Sequence, residues 1–447
     1  MKLLGFKTTV TKHYGGNEIA VDDAAGLEPG DEIIIEDVNI KYGQPGIDGA
    51  WPVFGTHYYA KVPIGRSWMG TITRVQGKDI TLDRPIVAQC VGLPMHRDNT
   101  QPVVAAIENR AVWPEGGQYA LSCRKAAFVN AYLDDSEQVI DFNHSVFFAP
   151  MGVPAINFNV HRLYKLAIVD KRSWPDNKHY KNFTIIGNAR RDGYGVQSGQ
   201  KMPEAFYLNG RNCSVDNYTS IDNWCAIACD WAQDFSVSNC KALATEHQYQ
   251  YISWEFQASS ATRGVFHNCE YASQFSRPAF EPFKSVGITF YNCRARNGTF
   301  ATNESGGTLF KKCSVEWDED FSKSPTPRAV SLDTPLLQIT HNIQYTPRAG
   351  IFSGNGIVDF KIDYKQLPAP KRILKSIVVN YSPNPQPVVI RGVDFTCPDP
   401  TATYGGSGNI GWLVSSAETQ IDVAGLRYTP LNESFPYAVN YKERIAG

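Results

Sequence analysis

Acidic residues recur along the middle of this chain beside aromatic or small apolar neighbours. The segments "MPEAFY", "ACDWAQ", "SWEFQ", "AFEPF" and "TNESG" carry Glu204, Asp230, Glu255, Glu281 and Glu304, at spacings of 26, 25, 26 and 23 residues. Two carboxylates held close together disfavour joint ionisation, so one stays protonated while the other is charged. Glycoside cleavage needs that division of labour: one acid, and one base or nucleophile. The best pair on this pattern is Glu255 with Glu281, followed by Asp230. The aromatics Trp231, Tyr249, Tyr251 and Trp254 lie alongside and are suited to stacking on sugar faces. A structural reading is equally explicit. Strand alternation alone places Glu255 on one face and its neighbours Trp254 and Phe256 on the other.

A second cluster lies in "TEHQYQY", with Glu246 and His247, followed by Arg263 and Arg277. Abstraction of a proton beside a uronate carboxylate would need a base and a neutralising cation, roles open to His247, Arg263 and Arg277. Each also reads as an ordinary surface residue. Glu246 is the outside candidate for the carboxylate role. No Asp-rich calcium motif, Walker loop, HExxH or G-x-S-x-G segment occurs, and the histidines show no metal-ligand spacing. The glycines of "GGSGNIG" match GxGxxG, but the setting lacks a βαβ pattern. No metal or cofactor is expected.

What would position such acids is a repeat. Cys213, Cys240, Cys269, Cys293 and Cys313 share the contexts "GRNCSV", "VSNCKA", "FHNCEY", "FYNCRA" and "FKKCSV", at spacings of 27, 29, 24 and 20. The segment "FTIIGNAR" fits the pattern with Asn188 in the cysteine slot. Mostly apolar residues stand three and five positions before the slot, the alternation of a strand. A strand-bearing repeat of 20 to 30 residues with Asn and Gly turns describes a solenoid. With no long amphipathic helical pattern, the expected fold is all-β: a single-stranded parallel β-helix. The acids would then form a column on one outer face, with neighbouring coils about 4.8 Å apart. The cysteine slot becomes an inward ladder of reduced thiols, and the asparagines before it occupy a bend.

The segment "WPEGGQYALS" (113–122) resembles the opening segment of pectate-lyase-like β-helix proteins, phage tailspikes among them. Upstream, "NEIAVDDAAGLEPGDEIIIED" and "ITRVQGKDITLDRPI" resemble a strand pair common at the start of such proteins. The likeness spans roughly residues 17–320. It implies a right-handed β-helix and leaves function open, because the family holds lyases, hydrolases, epimerases and inert fibres. The expected organisation is an N-terminal β region (1–100) with an inserted loop (41–70), a β-helix (101–325) and a β-rich C-terminal region (326–447). The last part reads as further coils or as a capping and trimerisation domain, since a β-helix end exposes strand edges.

The chain has 447 residues and a formal net charge of −1, which argues against a general nucleic-acid binder. No apolar run reaches the length of a membrane span, and the N-terminal run is too short for a secretion signal. Taken with the resemblance, these features imply a homotrimeric tailspike-like protein of a virion tail, assembled in a host cytoplasm alongside other tail proteins. It would bind and hydrolyse a bacterial surface polysaccharide. The alternatives are a non-enzymatic fibre that binds receptors, and a bacterial polysaccharide lyase or epimerase.

Overall fold

The computed structural model describes residues 5–36, 67–86, 89–121, 136–148, 150, 176–187, 206, 208–221, 223, 225–244, 256–303, 305–317, 337–340, 356–364, 377–380, 388–396, 414–416, 421–424, 427–428 and 439–440. The chain divides into two compact units. One comprises residues 1–175, 180–207 and 220–224, the other residues 176–179, 208–219 and 225–447.

The first unit opens with a closed six-stranded barrel of β1 (Lys7–Gly15), β2 (Glu18–Val21), β3 (Glu32–Ile35), β4 (Trp68–Gln76), β5 (Asp79–Leu82) and β6 (Pro94–Arg97). Its strands run in the order β1-β2-β5-β4-β3-β6, with neighbours paired antiparallel. Closure removes the exposed edges that an open sheet would carry. Val10, Ile19, Ile33, Ile35, Trp68 and Ile80 fill the interior. The expected inserted loop falls largely on residues outside the described ones, and its last residues, Trp68–Gly70, open β4. A short helix, α1 (Thr100–Glu108), follows the barrel. Asp98 accepts hydrogen bonds from the backbone N–H and hydroxyl of Thr100 at 3.0 and 2.6 Å. The "WPEGGQYALS" segment then contributes β7 (Gln118–Ala120), parallel to β8 (Gln138–Phe148). Trp113 packs edge-on against Tyr119, Phe142 and Phe147 with centroids 5.0–5.8 Å apart. β9 (Lys178–Ile186) follows, its first two residues belonging to the second unit.

The second unit is a parallel β-helix. Three sheets account for its coils, built from β10 (Ser214–Ile221), β11 (Ile227–Asp230), β12 (Gln233–Ser238), β13 (Lys241–Ala244), β14 (Phe256–Ser259), β15 (Thr262–His267), β16 (Glu270–Phe283), β17 (Val286–Tyr291), β18 (Arg294–Asn303), β19 (Leu309–Lys311) and β20 (Ser314–Trp317). Sheet I stacks β12, β15, β17 and β19. Sheet II stacks β13, the first halves of β16 and β18, and β20. Sheet III stacks β11, β14 and the second halves of β16 and β18. The same parallel register continues through strands Leu337–Thr340, Gly356–Val358 and Lys361–Tyr364 to Val439–Asn440. In its described residues the C-terminal region therefore consists of further coils.

Side-chain stacking explains the register. On sheet I, Phe266, Phe290 and Phe310 stack at 4.7 and 5.1 Å. On sheet III, Phe256, Phe280 and Phe300 stack at 4.9 and 4.6 Å. All six are fully buried. Between sheets I and II each coil turns on one residue with positive φ: Asn217, Asn239, Asn268, Asn292, Lys312, Asp359 and Gly392. Asparagine is among the few side chains that tolerate this conformation. The amide of Asn268 donates to Asn239 Oδ1 at 3.2 Å, and that of Asn292 to Asn268 Oδ1 at 2.7 Å.

The residue after each such turn points inward. Cys240, Cys269, Cys293 and Cys313 are buried free thiols in this slot. Each Sγ reaches a carbonyl oxygen of the preceding coil at 3.3–3.9 Å. Cys213 is not a rung of that ladder, contrary to the sequence pattern. Ser214 pairs with Ser236 and Asp216 with Ser238, which sets Cys213 five residues out of step. Asn239 donates to Asp216 Oδ1 at 2.7 Å, so buried Tyr218 occupies the slot above Cys240. Asn212 instead bonds Asn177 Oδ1 at 2.8 Å, one coil earlier. Cys213 thus belongs to the other edge of sheet I, while Asn188 lies outside the described residues. Among the described residues, no helix is long and apolar enough to cross a membrane.

Candidate functional site

The site is best built from sheet III outward. Because Phe256 and Phe280 stack inside, the alternate residues Gln257, Ser259, Glu281 and Phe283 face out. Register adds Ala228 and Asp230 to the same outer face: Ala228 pairs with Gln257 and Asp230 with Ser259. One coil further, Gln257 pairs with Glu281 and Ser259 with Phe283. Two rows result. In the row of Ala228, Gln257 and Glu281, the outer residues are covered at both ends, with Glu281 only 2% exposed. In the row of Asp230, Ser259 and Phe283, all three are partly exposed.

This register corrects the expected acid column. Asp230 and Glu281 share a face but not a row. They stand two coils and two residues apart, so their Cα atoms lie about 12 Å apart on ideal strand spacings of about 4.8 and 3.3 Å. Coil length is the reason: Asp230 precedes its inward cysteine, Cys240, by 10 residues, and Glu281 precedes Cys293 by 12. Glu204, Glu246, His247, Tyr249, Tyr251, Trp254, Glu255 and Glu304 lie outside the described residues, and Arg277 is described in its backbone alone.

The open row ends at the turn into sheet I. Trp231 follows Asp230 there with φ +55° and is 39% exposed. Its backbone N–H donates to Ser259 O at 2.7 Å. Ser260 and Lys284 hold the same left-handed position one and two coils on. A bulky side chain in this region costs on the order of 1–3 kcal/mol unless the surroundings enforce it. The Lys284 ammonium lies 4.9 Å from the centroid of the Phe283 ring. Two aromatic side chains, a carboxylate and an ammonium thus line one edge of sheet III.

Arg263 occupies the next left-handed turn, at φ +54°. Its Nε and one terminal nitrogen donate to the two carboxylate oxygens of Asp234 at 2.5 and 2.7 Å. That bidentate hydrogen bonding holds the Asp234 carboxyl below its usual range. The guanidinium expected to meet substrate is therefore already engaged. Asp234 was readable: Arg263 follows it by 29 residues, the spacing of Cys240 and Cys269. Phe283 and Lys284 lacked such a marker, because outward positions carry no repeating residue type. Among the described residues, no group of three or more His, Cys, Asp or Glu side chains is arranged to hold a metal ion.

No protein-family model matches the chain. No curated protein matches it either. Among solved structures it is similar to an endo-xylogalacturonan hydrolase from Aspergillus tubingensis, with 12% identity over 76% of this chain and 91% of that one and a TM-score of 0.43. It is similar to PfbA, a surface adhesin of Streptococcus pneumoniae, at 13% identity over 77% and 88% of the two chains, with a TM-score of 0.45. It is also similar to the Gp54 tailspike of Acinetobacter baumannii bacteriophage AP22 in complex with A. baumannii capsular saccharide. That match has 12% identity over 93% of this chain and 62% of the tailspike, with a TM-score of 0.30. At these values the likeness carries nothing about activity or substrate.

Proposed function

We propose that this chain is a tailspike-like β-helix that binds a bacterial surface polysaccharide and hydrolyses it, with Asp230 and Glu281 as the carboxylate pair. The observation that supports this most directly is their common outer face on sheet III. A Cα separation of about 12 Å lets side chains that lean toward each other approach the roughly 6.5–9.5 Å carboxyl spacing of inverting glycosidases. Trp231 and Phe283 then offer aromatic surface to sugar rings beside the pair. Glu255 and Glu246 remain candidates for the same chemistry, with Tyr249, Tyr251, Trp254 and His247 as candidate contacts. A homotrimer on a virion tail, assembled in a host cytoplasm, belongs to the same proposal.

Asp230→Asn and Glu281→Gln, assayed for new reducing ends on capsular or lipopolysaccharide substrates, test the pair. The expected outcome is a loss of at least about 100-fold for each, the scale of a missing acid or base. Unaltered cleavage by both variants removes the assignment. The burial of Glu281 supports a second reading, a fibre that binds without cutting. Retained cell binding by the native protein with no reducing ends released would select it.

A further inference from the structure

The turn column between sheets I and II places a lysine where asparagine, aspartate or glycine stands in the other described coils. Asn217, Asn239, Asn268 and Asn292 hold φ near +53°, and the amide ladder runs through the last three of these coils. The next coil places Lys312 there, at φ +55°. Nothing in the interior changes, since Cys313 follows as a buried thiol in the usual slot. Lysine is less suited to this backbone than asparagine. A local rule broken without packing gain points to function.

The side chain of Lys312 turns instead to the outer face of sheet I. Its ammonium lies 5.5 Å from the centroid of the Tyr291 ring. A hydrogen bond with Tyr291 is the first cause of its raised pKa, and Asp359 contributes least. Tyr291 pairs in register with His267 on one side and Lys311 on the other. Phe266 and Phe290 face inward, so His267 and Tyr291 face out, both half-exposed. Their ring centroids are 5.4 Å apart at an interplanar angle of 34°. The result is an exposed aromatic step, two rings long, with ammonium groups at one end.

We propose that His267, Tyr291 and Lys312 form a binding subsite for an acidic sugar, a pyranose carrying a carboxylate. The apolar C–H face of the sugar lies on the two rings. Its carboxylate meets the ammonium of Lys312, with Lys311 beside it. Neither ring alone discriminates an acidic sugar from a neutral one, so selectivity resides in Lys312. The subsite is separate from Asp230 and Glu281 and stands whether or not the chain cleaves glycans.

Lys312→Asn is the informative variant. It restores the residue type of the column and lets its amide continue the ladder onto Asn292. The fold is expected to keep or raise its unfolding midpoint. Binding is read by calorimetry with tetramers of galacturonate, glucuronate and mannuronate, and with the same tetramers after reduction of their carboxyls to alcohols. The native protein is expected to bind at least one acid tetramer at least about 10-fold tighter than its reduced form, the scale of one hydrogen-bonded charge contact. Lys312→Asn is expected to abolish that preference while leaving the reduced tetramer's affinity unchanged. Tyr291→Ala is expected to weaken both by about 5-fold or more, as for a contact worth about 1 kcal/mol. The proposal is overturned if no acid tetramer is preferred, or if Lys312→Asn retains the preference. Loss of stability in Lys312→Asn would also overturn it, because the lysine would then be structural. Cleavage by Asp230 and Glu281 has a different readout, new reducing ends, so either assignment can fail alone.

Discussion

Phe290→Ala should be the most damaging single truncation in the helical stack of sheet I. Phe290 is fully buried. It stacks on Phe266 at 4.7 Å and 8° and on Phe310 at 5.1 Å and 25°, and it meets Phe280 edge-on at 5.8 Å. Removing the ring takes away about 120 Å² of buried apolar surface, worth about 3 kcal/mol at about 25 cal/mol per Å². The residual cavity and two lost stacking partners bring the total to about 4–5 kcal/mol. In a solenoid that loss is felt first by the coils on either side. Hydrogen exchange should therefore show amides of Thr262–His267, Val286–Tyr291 and Leu309–Lys311 losing protection, while strands of the N-terminal barrel keep theirs. Tyr291→Ala, one residue along on the outer face, is the control and should cost under about 1 kcal/mol. An effect below about 1 kcal/mol for Phe290→Ala, or a protection loss spread evenly over both units, would refute the stacked-core account.

Gly264→Ala should destabilise by about 1–3 kcal/mol, because the new methyl would stand 2.0 Å from the buried Phe235 ring; a chemical-denaturation midpoint equal to that of the native protein would contradict this. Burial pushes the Cys90 and Cys213 thiols up to about 11, from the ordinary value of 9.0. The folded state then holds its protons more tightly than the unfolded chain, so their contribution is complete below pH 9 and declines as pH rises through about 11; a flat thermal midpoint from pH 8.5 to 11 would count against it. Arg263→Gln breaks a bidentate but exposed ion pair and should produce only a small, salt-sensitive downward shift in the thermal midpoint.

The inward half of this fold was legible and the outward half was not. Burial in a narrow β-helix demands flat or small side chains at fixed rungs, so Phe266, Phe290 and Phe310 and the cysteines after the turns repeat in type. Asparagine repeats at the turn because few L-residues accept its backbone. Those constraints mark a register that counting can find. Cys213 misled because Asn212 sits in an equally left-handed turn at the other edge of sheet I, giving the same Asn-Cys pair for a different rung. The acids misled for a related reason. Nothing inside the coil ties Asp230 and Glu281 to one rung, so unequal coil lengths slide them two residues apart while their spacing stays near 25. The barrel was visible only as paired strands, since closure depends on which distant strands meet.

Left-handed positions offer the outward half its own marker. Each coil must spend one or two such residues on its turns, and asparagine or glycine fills them at least strain. Where the chain places Trp231, Arg263, Lys284 or Lys312 instead, it accepts backbone strain at the turn. Trp231, Arg263 and Lys284 stand on the turns at one edge of sheet I, and Lys312 stands on the turn at its other edge. Between them the outward strand positions carry Ser236, Ser238, Val265, His267, Thr289 and Tyr291, with Lys311 in the last of these coils, rather than a run of charges. Solubility alone would favour the reverse arrangement, charged strands with asparagine and glycine corners. On the proposed glycan-binding reading, Trp231, Lys284 and Lys312 at the corners, with His267 and Tyr291 between them, would meet a chain of sugars, apolar on their ring faces and polar at their rims. Replacing Trp231, Lys284 and Lys312 with asparagine should therefore leave the coil intact and remove whatever this face binds, and a glycan-binding assay on that one variant would separate the corners' chemistry from the fold that carries them.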